Sequence, residues 1–260
     1  MVAQKDQYIV PMVARAVDIL SYLSREGGFH GIHEISYVLD IPKATVFKVL
    51  YTLQQAQFIT KNAEDQYALG LAFLTFSSEL KNNLDFRTYT KPIMERVARN
   101  CGESVNLGLL MDDTVVVMDT AKGEDFFIVR QLIPYSPLYC SGMGKIFLSS
   151  FTQEEFEDYL RRTELAPRTV STLTDPGALN EDRLRTREKG LGYDREEYEY
   201  GLTCIATGIH HQGKLLAAVS ISGPTSRLKH KGMGAMEEAV LELAREMEAI
   251  PGIEELLKST

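Results

Sequence analysis

Several residues capable of chemistry lie in the last third of the chain. Cys204 precedes the histidine pair His210-His211, and a thiol beside an imidazole base is the arrangement of a hydrolytic nucleophile. Cys204, however, falls in a predicted strand between Thr203 and Ile205, where two adjacent histidines cannot both share its face. We therefore expect no enzyme activity and keep a Cys204-dependent small-molecule hydrolase as an alternative.

A second set of residues favours binding of an anion. Ser141 can cap a helix that begins near Gly142, and the free backbone N–H groups of a helix start attract negative charge. Ser220 and Ser222 are two residues apart on one predicted strand, so their hydroxyl groups point to the same face. Asp194 would accept a hydrogen bond from a ligand hydroxyl. A small hydroxy, keto, sugar-derived or phenolic acid satisfies these groups.

Cofactor and metal motifs are incomplete. The run Gly142-Met143-Gly144-Lys145 lacks the following Ser/Thr and the upstream glycine of a phosphate-binding loop, and Gly232-Met233-Gly234 lacks the third glycine of a dinucleotide motif. The three cysteines, Cys101, Cys140 and Cys204, form no CxxC pair. We expect neither a cofactor nor a metal.

The residues from Lys43 to Ala56 form a predicted amphipathic helix. Its apolar stripe consists of Val46, Val49, Leu50 and Leu53, at helical spacing. The other sides carry cationic, hydroxyl and aromatic groups, namely Lys43, Thr45, Phe47, Lys48 and Thr52. Lysine can bond guanine, an aromatic ring can contact a thymine methyl, and Lys43 is placed to reach a phosphate. This face is a candidate DNA-reading surface.

The neighbouring elements complete a winged helix-turn-helix. A helix over Val13–Leu23 and a short helix over Ile32–Leu39 precede the turn Asp40-Ile41-Pro42. Two strand-like runs, Phe58–Lys61 and Gln66–Leu69, follow as a hairpin, and Lys61 on it is expected to contact a phosphate.

The rest of the chain has a mixed pattern. Leu71–Leu80 is a predicted linker helix, and another helix is expected after Lys91-Pro92. Further strands are predicted at Val105–Leu110, Thr114–Asp119, Phe126–Leu132, Cys204–Ile209 and Leu215–Ser222, with helices at Lys145–Ser150, Glu154–Leu160 and Glu181–Lys189. The prediction is an α+β protein with an antiparallel sheet, divided into a DNA-binding domain (1–70), a linker (71–84) and a C-terminal domain (85–260).

Charge and hydropathy restrict the function further. The net charge of −8 over 260 residues excludes a protein that coats nucleic acid through charge alone. Residues 1–70 hold six Lys/Arg and seven Asp/Glu, so most of the negative charge lies after Gly70. No apolar run is long enough to cross a bilayer and no signal core precedes the first helix, so we expect a cytoplasmic protein without membrane contact.

Two regions resemble one family. The segment HEISYVLDIPKATVFKVLYTLQQAQFI is similar to the helix-turn-helix of IclR-type regulators, whose recognition helix opens with Leu/Ile-Pro-Lys-Ser-Thr-Val. Here Ala44 stands where the family usually has serine. The stretch GLGYDREEYEYGLTCIATGIHHQGKLLAAVSISGP resembles the family's C-terminal signature, and Pro137–Lys145 resembles its PLHxTAxGK segment.

The resemblance implies a GAF-like effector domain whose ligand lies among the residues that match the family's site, namely Gly142, Met143, Asp194, Cys204, Ser220 and Ser222. It also implies a transcription regulator that binds a double-stranded DNA operator, either as a repressor or as an activator. Because a lone winged helix with few cations makes too few contacts for tight binding, we expect a homodimer or a dimer of dimers, joined partly through the Leu71–Leu80 helix. An interaction module that uses its winged helix to bind protein instead of DNA remains an alternative.

Overall fold

The computed structural model describes residues 8–76, 86–123 and 135–258. The chain divides into two compact units, Met1–Asn83 and Leu84–Thr260.

The N-terminal unit contains three main helices and a small antiparallel sheet. Its elements are α1 (Pro11–Glu26), β1 (His30–Gly31), α2 (Ile32–Val38), α3 (Lys43–Gln55), β2 (Ile59–Lys61) and β3 (Gln66–Leu69). The strand order is β1-β3-β2, so β3 is central and the predicted hairpin forms the wing. Buried apolar residues from all three helices make the core: Ile19, Leu23, Ile35, Val46, Val49 and Leu50. The buried stripe of α3 is the predicted one, whereas on α1 the periodicity favoured Val13 and Val17, which are exposed.

The turn between α2 and α3 is fixed by local bonds. The hydroxyl of Ser36 donates to the carbonyl of Ile41 at 2.6 Å, and the amide of Ile41 donates back to the carbonyl of Ser36 at 3.1 Å. Asp40 has a φ of 50°, a left-handed conformation that Asp tolerates better than most residues. The turn thereby sets the angle at which α3 leaves α2.

The predicted linker helix is described only in part. Residues 72–76 are helical (α4), and the remainder of Leu71–Leu80 lies outside the described residues. The rings of Phe73 and Phe76 pack on Phe58 with centroids 5.3 and 5.4 Å apart. Both phenylalanines thus have an apolar contact within their own unit, although Phe76 remains largely exposed.

The C-terminal unit is a six-stranded antiparallel sheet with helices on both faces. Its elements are α5 (Phe86–Cys101), β4 (Ser104–Met111), β5 (Thr114–Ala121), β6 (Tyr135–Pro137), α6 (Gly142–Ser150), α7 (Gln153–Arg162), α8 (Pro176–Lys189), β7 (Gly192–Arg195), β8 (Leu202–His211), β9 (Lys214–Pro224), α9 (Thr225–Lys231), α10 (Met233–Glu248) and α11 (Ile253–Lys258). The strand order is β6-β5-β4-β9-β8-β7. The predicted α+β class with an antiparallel sheet is confirmed.

Alternating residues of the central strands serve two cores. Val105, Ile205 and Ile221 pack with α5 and α10 on one face. Ala206 and Ala218 face the opposite side, where they pack with α6. The second face also carries the polar residues discussed below, because side chains alternate along a strand.

The start of α5 differs from the prediction. Pro92 was expected to precede the helix, but α5 begins at Phe86 and Pro92 lies inside it. Burial of Phe86, Thr90 and Met94 along one side holds the turns around the proline, and the Thr90 hydroxyl donates to the Phe86 carbonyl at 3.0 Å. Tertiary packing therefore offsets the missing proline N–H.

The structure also differs from the prediction at the sheet edges and after the last predicted strand. The sheet gains the short strands β6 and β7, and the helices α9, α10 and α11 follow the last predicted strand. The predicted strand Phe126–Leu132 lies outside the described residues. Among the described helices none is long and apolar enough to span a membrane.

Candidate functional site

The polar residues singled out in the sequence meet on one face of the sheet. In the strand register Asp194 on β7 pairs with Cys204 on β8, and Cys204 pairs with Ser222 on β9. The adjacent row joins Ser220 on β9 to Asn106 on β4. Paired residues point to the same face, so three separate parts of the sequence supply one polar surface.

Asn106 organises the two serines. Its Nδ2 donates to Ser222 Oγ at 2.9 Å and to Ser220 Oγ at 3.2 Å, while its Oδ1 accepts from Thr120 Oγ1 at 2.9 Å. Both serine oxygens accept hydrogen bonds from Asn106, so their own O–H groups remain available to donate to another acceptor. Asn106 was not among the residues predicted from the sequence. Its polar side chain between the apolar Val105 and Leu107 was the available signal.

Helix α6 begins directly over this surface. Ser141 caps it as predicted, accepting from the amide of Gly144 at 3.2 Å and donating to the carbonyl of Pro137 at 2.7 Å. A β-carbon on Gly142 would lie 3.4 Å from the β-carbon of Cys204, so the glycine permits the close approach. Among the described residues the amides of Gly142 and Met143 have no hydrogen-bond acceptor. Two N–H groups at the positive end of the helix therefore lie at the sheet.

Asp194 forms one wall and is buried. Its Oδ1 accepts the amides of Glu197 at 2.7 Å and Tyr198 at 3.2 Å. Burial raises the pKa of Asp194 to about 7, although these two donors oppose the shift. At neutral pH the side chain is therefore partly protonated, and it can either donate to a ligand or accept from one.

The environment of Cys204 does not activate a nucleophile. Burial raises the pKa of its thiol well above the ordinary value, and the Asp194 carboxylate adds to the shift. His210 and His211 contact Glu248 and Glu254 at 3.5 and 3.6 Å. Since His210 is six residues further along β8, roughly 20 Å from Cys204 at the rise of a strand, no thiol–imidazole pair forms.

A buried ion pair fixes α6 to the segment after β7. Lys145 Nζ lies 2.5 Å from Glu197 Oε1 and 3.0 Å from Asp182 Oδ2, and the lysine is almost fully buried. The amide of the same Glu197 donates to Asp194. The helix start and the acidic wall are thus held to each other through one residue.

These groups enclose a pocket with about 450 Å³ of empty volume, part of it open to solvent. Its lining is Asn106, Val117, Ser136, Ser141, Gly142, Met143, Asp194, Tyr198, Leu202, Cys204 and Ser220. Five of the six predicted effector residues line it. Ser222 does not, although it is the register neighbour of Cys204 on the same face of the sheet. The apolar and aromatic lining residues were missed, because no local pattern marks which core side chains face a cavity.

The second candidate surface is on α3. Lys43, Phe47, Lys48 and Thr52 are exposed, and Thr45 is half-buried, opposite the core stripe. The rings of Phe47 and Tyr51 stack with centroids 6.5 Å apart. The Thr52 hydroxyl donates to the Lys48 carbonyl at 2.9 Å, so toward a further partner it can only accept. The geometry is that of a recognition helix with a mixed cationic and apolar face.

Lys61 on the wing already has partners. Its Nζ lies 2.6 Å from Asp65 Oδ1 and 5.5 Å from the centroid of the Tyr67 ring. A phosphate contact by Lys61 would have to compete with this exposed ion pair, which costs little to break.

In the described parts of the chain no cluster of three His, Cys, Asp or Glu residues could hold a metal ion.

Two family models match this chain, one in each unit. Residues 12–63 match the model of the IclR helix-turn-helix domain, and residues 79–249 match that of the bacterial transcriptional regulator IclR C-terminal domain. The chain is 32% identical over 244 residues to the HTH-type transcriptional repressor AllR of Escherichia coli (strain K12), covering 92% of this chain and 89% of that protein.

Solved structures share the fold. An IclR family transcriptional regulator from Brucella abortus superposes with a TM-score of 0.81 at 20% identity, covering 96% of both chains. An IclR homologue from Microbacterium hydrocarbonoxydans, complexed with 4-hydroxybenzoate, gives a TM-score of 0.71 at 21% identity over 96% of this chain and 100% of that one. With family matches that cover the winged helix and most of the C-terminal unit, this chain belongs to the IclR family of DNA-binding bacterial transcriptional regulators.

Proposed function

We propose that the C-terminal unit binds a small organic acid in the pocket under α6 and that this binding changes the affinity of the N-terminal unit for its operator. The observation that carries the proposal is the pair of free amides at Gly142 and Met143, which face a surface that presents the Ser220 hydroxyl. A carboxylate is the ligand group that such donors favour.

The remaining lining accommodates the rest of the ligand. Asp194 exchanges a hydrogen bond with a hydroxyl or oxo group, and its pKa of about 7 reduces repulsion of an anion. Val117, Leu202 and Tyr198 supply apolar contact. Ser222 does not line the pocket, and it contributes indirectly by accepting a hydrogen bond from Asn106. The Microbacterium homologue was crystallised with an aromatic hydroxy acid, which places such acids among the first to test.

DNA is read by the exposed face of α3. We assign base contacts to Thr45, Phe47, Lys48 and Thr52, whose hydroxyl can accept from a base amino group, and phosphate contacts to Lys43 and Lys61. The support is their position opposite the buried stripe of a helix that follows a fixed turn.

We further propose repression by a homodimer or a dimer of dimers. Each N-terminal unit presents few cations, and pairing two recognition helices on a palindrome multiplies affinity without new contacts. Apolar side chains exposed on this unit, among them Val13, Val17 and Leu74, are available for such pairing. Sedimentation of a strict monomer at micromolar concentration, with and without DNA, would contradict this assembly.

The experiment that tests the regulator combines two titrations. An operator is first selected from random duplex DNA, and its affinity is then measured with and without hydroxy, keto, sugar and aromatic acids. Calorimetry on the same panel gives the affinity of each acid for the free protein and for the DNA complex. Linkage requires both measurements to give the same coupling factor. Binding of no acid in calorimetry would overturn the proposal.

A further inference from the structure

One end of the pocket is closed by the side chain of Met143. A β-carbon placed on Gly108 would lie 3.0 Å from the Met143 sulfur and 3.2 Å from its terminal methyl. Met143 is almost completely buried and lines the pocket. Its thioether therefore lies across Gly108 on β4, next to Val115, whose Cγ1 would lie 2.7 Å from the same β-carbon.

The row of the sheet next to the polar surface lies under this side chain. Gly108 follows Asn106 by two residues on β4, so the two positions face the same side of the sheet. In the register Gly108 pairs with Ala218, which in turn pairs with Gly208 on β8. Side chains cover this row, since a β-carbon on Gly208 would lie 2.5 Å from two of them. At the Gly108 end the covering side chain that also lines the pocket is Met143.

Met143 therefore limits the pocket in this direction. From Asn106 to Gly108 the strand advances by roughly 7 Å at about 3.4 Å per residue. The Met143 side chain covers the Gly108 end of that path. A ligand anchored by its carboxylate at the start of α6 and extending along β4 would meet the thioether after a short chain.

We propose that Met143, accommodated by Gly108, sets the maximum length of the effector and restricts this protein to short-chain acids. The inference rests on the proposed binding of an organic acid and adds an upper limit on the length of that acid. Met143→Ala removes the γ-carbon, the sulfur and the terminal methyl, so the pocket lengthens along β4 by about three chain atoms. Met143→Leu keeps most of the side-chain volume and is the matched control.

The test is calorimetry of the full-length protein with unbranched 2-oxo acids that increase in length from pyruvate to 2-oxooctanoate. For wild type and Met143→Leu we expect affinity to fall by about tenfold or more once the chain outgrows the pocket, since an apolar pocket discriminates roughly tenfold or more per misfitting methylene. For Met143→Ala we expect the optimum to move to acids about three carbons longer. Thermal melting checks that each variant is folded.

Gly108→Ala provides the opposite change. The added methyl group would lie 2.7 Å from Val115 Cγ1 and 3.0 Å from the thioether, so both side chains must shift. The shortest acids should then bind at least about tenfold more weakly, and adding Met143→Ala should restore part of that loss. An identical length profile for wild type and Met143→Ala, with measurable binding by both, overturns the length limit alone. Binding of no acid by either protein overturns the proposed function, and the length limit with it.

Discussion

Asp194 and Cys204 are register neighbours on β7 and β8, with the carboxyl and the thiol on the same face of the sheet. The carboxylate and the surrounding protein both favour the protonated thiol. A thiol that remains protonated at neutral pH is a poor nucleophile but an adequate lining group for a pocket.

Cys204→Ser should therefore retain effector binding. A hydroxyl replaces the thiol with little change in volume, so the binding free energy should change by about 1 kcal/mol or less. Calorimetry measures the affinity, and NMR of the ligand detects any turnover. Consumption of the acid by wild type but not by Cys204→Ser would restore the hydrolase alternative.

Asp194→Asn should change how stability depends on pH. The native pKa of about 7 exceeds the ordinary value of 3.8, so between these values the folded protein binds more protons than the unfolded chain. Wild-type stability contributed by this group must then fall as pH rises through that window, by about 4 kcal/mol at most. Asparagine keeps a side-chain oxygen that can accept the amides of Glu197 and Tyr198, and it does not titrate. Urea unfolding from about pH 5 to pH 8 should show a flatter curve for the variant, and parallel curves would contradict the prediction.

Asn106→Ala should weaken effector binding because it disturbs the serine hydroxyl groups on the surface that faces the amides of Gly142 and Met143. Ser220 and Ser222 lose the donor that orients them, and we expect a loss of about tenfold in affinity together with roughly 1–3 kcal/mol of stability. Thr120→Val is the control, because it removes only the bond to the far side of Asn106. Equal effects of the two substitutions on affinity would show that the serines do not depend on Asn106.

Lys48→Ala and Lys43→Ala should weaken DNA binding in different ways. A lost base contact costs about 1–3 kcal/mol and relaxes sequence preference, whereas a lost phosphate contact weakens all sequences alike and flattens the salt dependence. Gel-shift titrations on selected and scrambled DNA at several salt concentrations separate the two. If a folded Thr45→Ala/Lys48→Ala protein binds its operator at full strength, α3 is not the reading helix.

His30→Gln should make the N-terminal unit less sensitive to pH. His30 Nδ1 lies 3.0 Å from Glu34 Oε1 and its Nε2 donates to the Gly27 carbonyl at 2.6 Å. The Glu34 hydrogen bond raises the pKa of His30 above 6.5. The stabilisation is fully present below pH 6.5 and is lost as pH rises through the higher native pKa. The melting temperature should change more between a pH below this range and a pH above it for wild type than for the variant.

Local patterns were sufficient for the winged helix. The stripe Val46, Val49, Leu50 and Leu53 repeats with the period of one helix, and Pro42 marks its start. Ser141 likewise identified the start of α6 from its position alone. These features depend on residues within a few positions of each other, which is why the sequence was enough to determine them.

Pairing of strands that are distant in the sequence decides which residues line the pocket. Asn106 reaches Ser220 only because β4 pairs with β9, more than one hundred residues later in the chain. Burial of Asp194 and the position of Met143 over Gly108 also arise from packing between separate elements. The sequence by itself determined that Cys204, Ser220 and Ser222 lie on strands, but it did not predict the strand that carries Asp194. The tertiary structure decided which of them meet, because strand register and desolvation are properties of the assembled sheet rather than of any one segment.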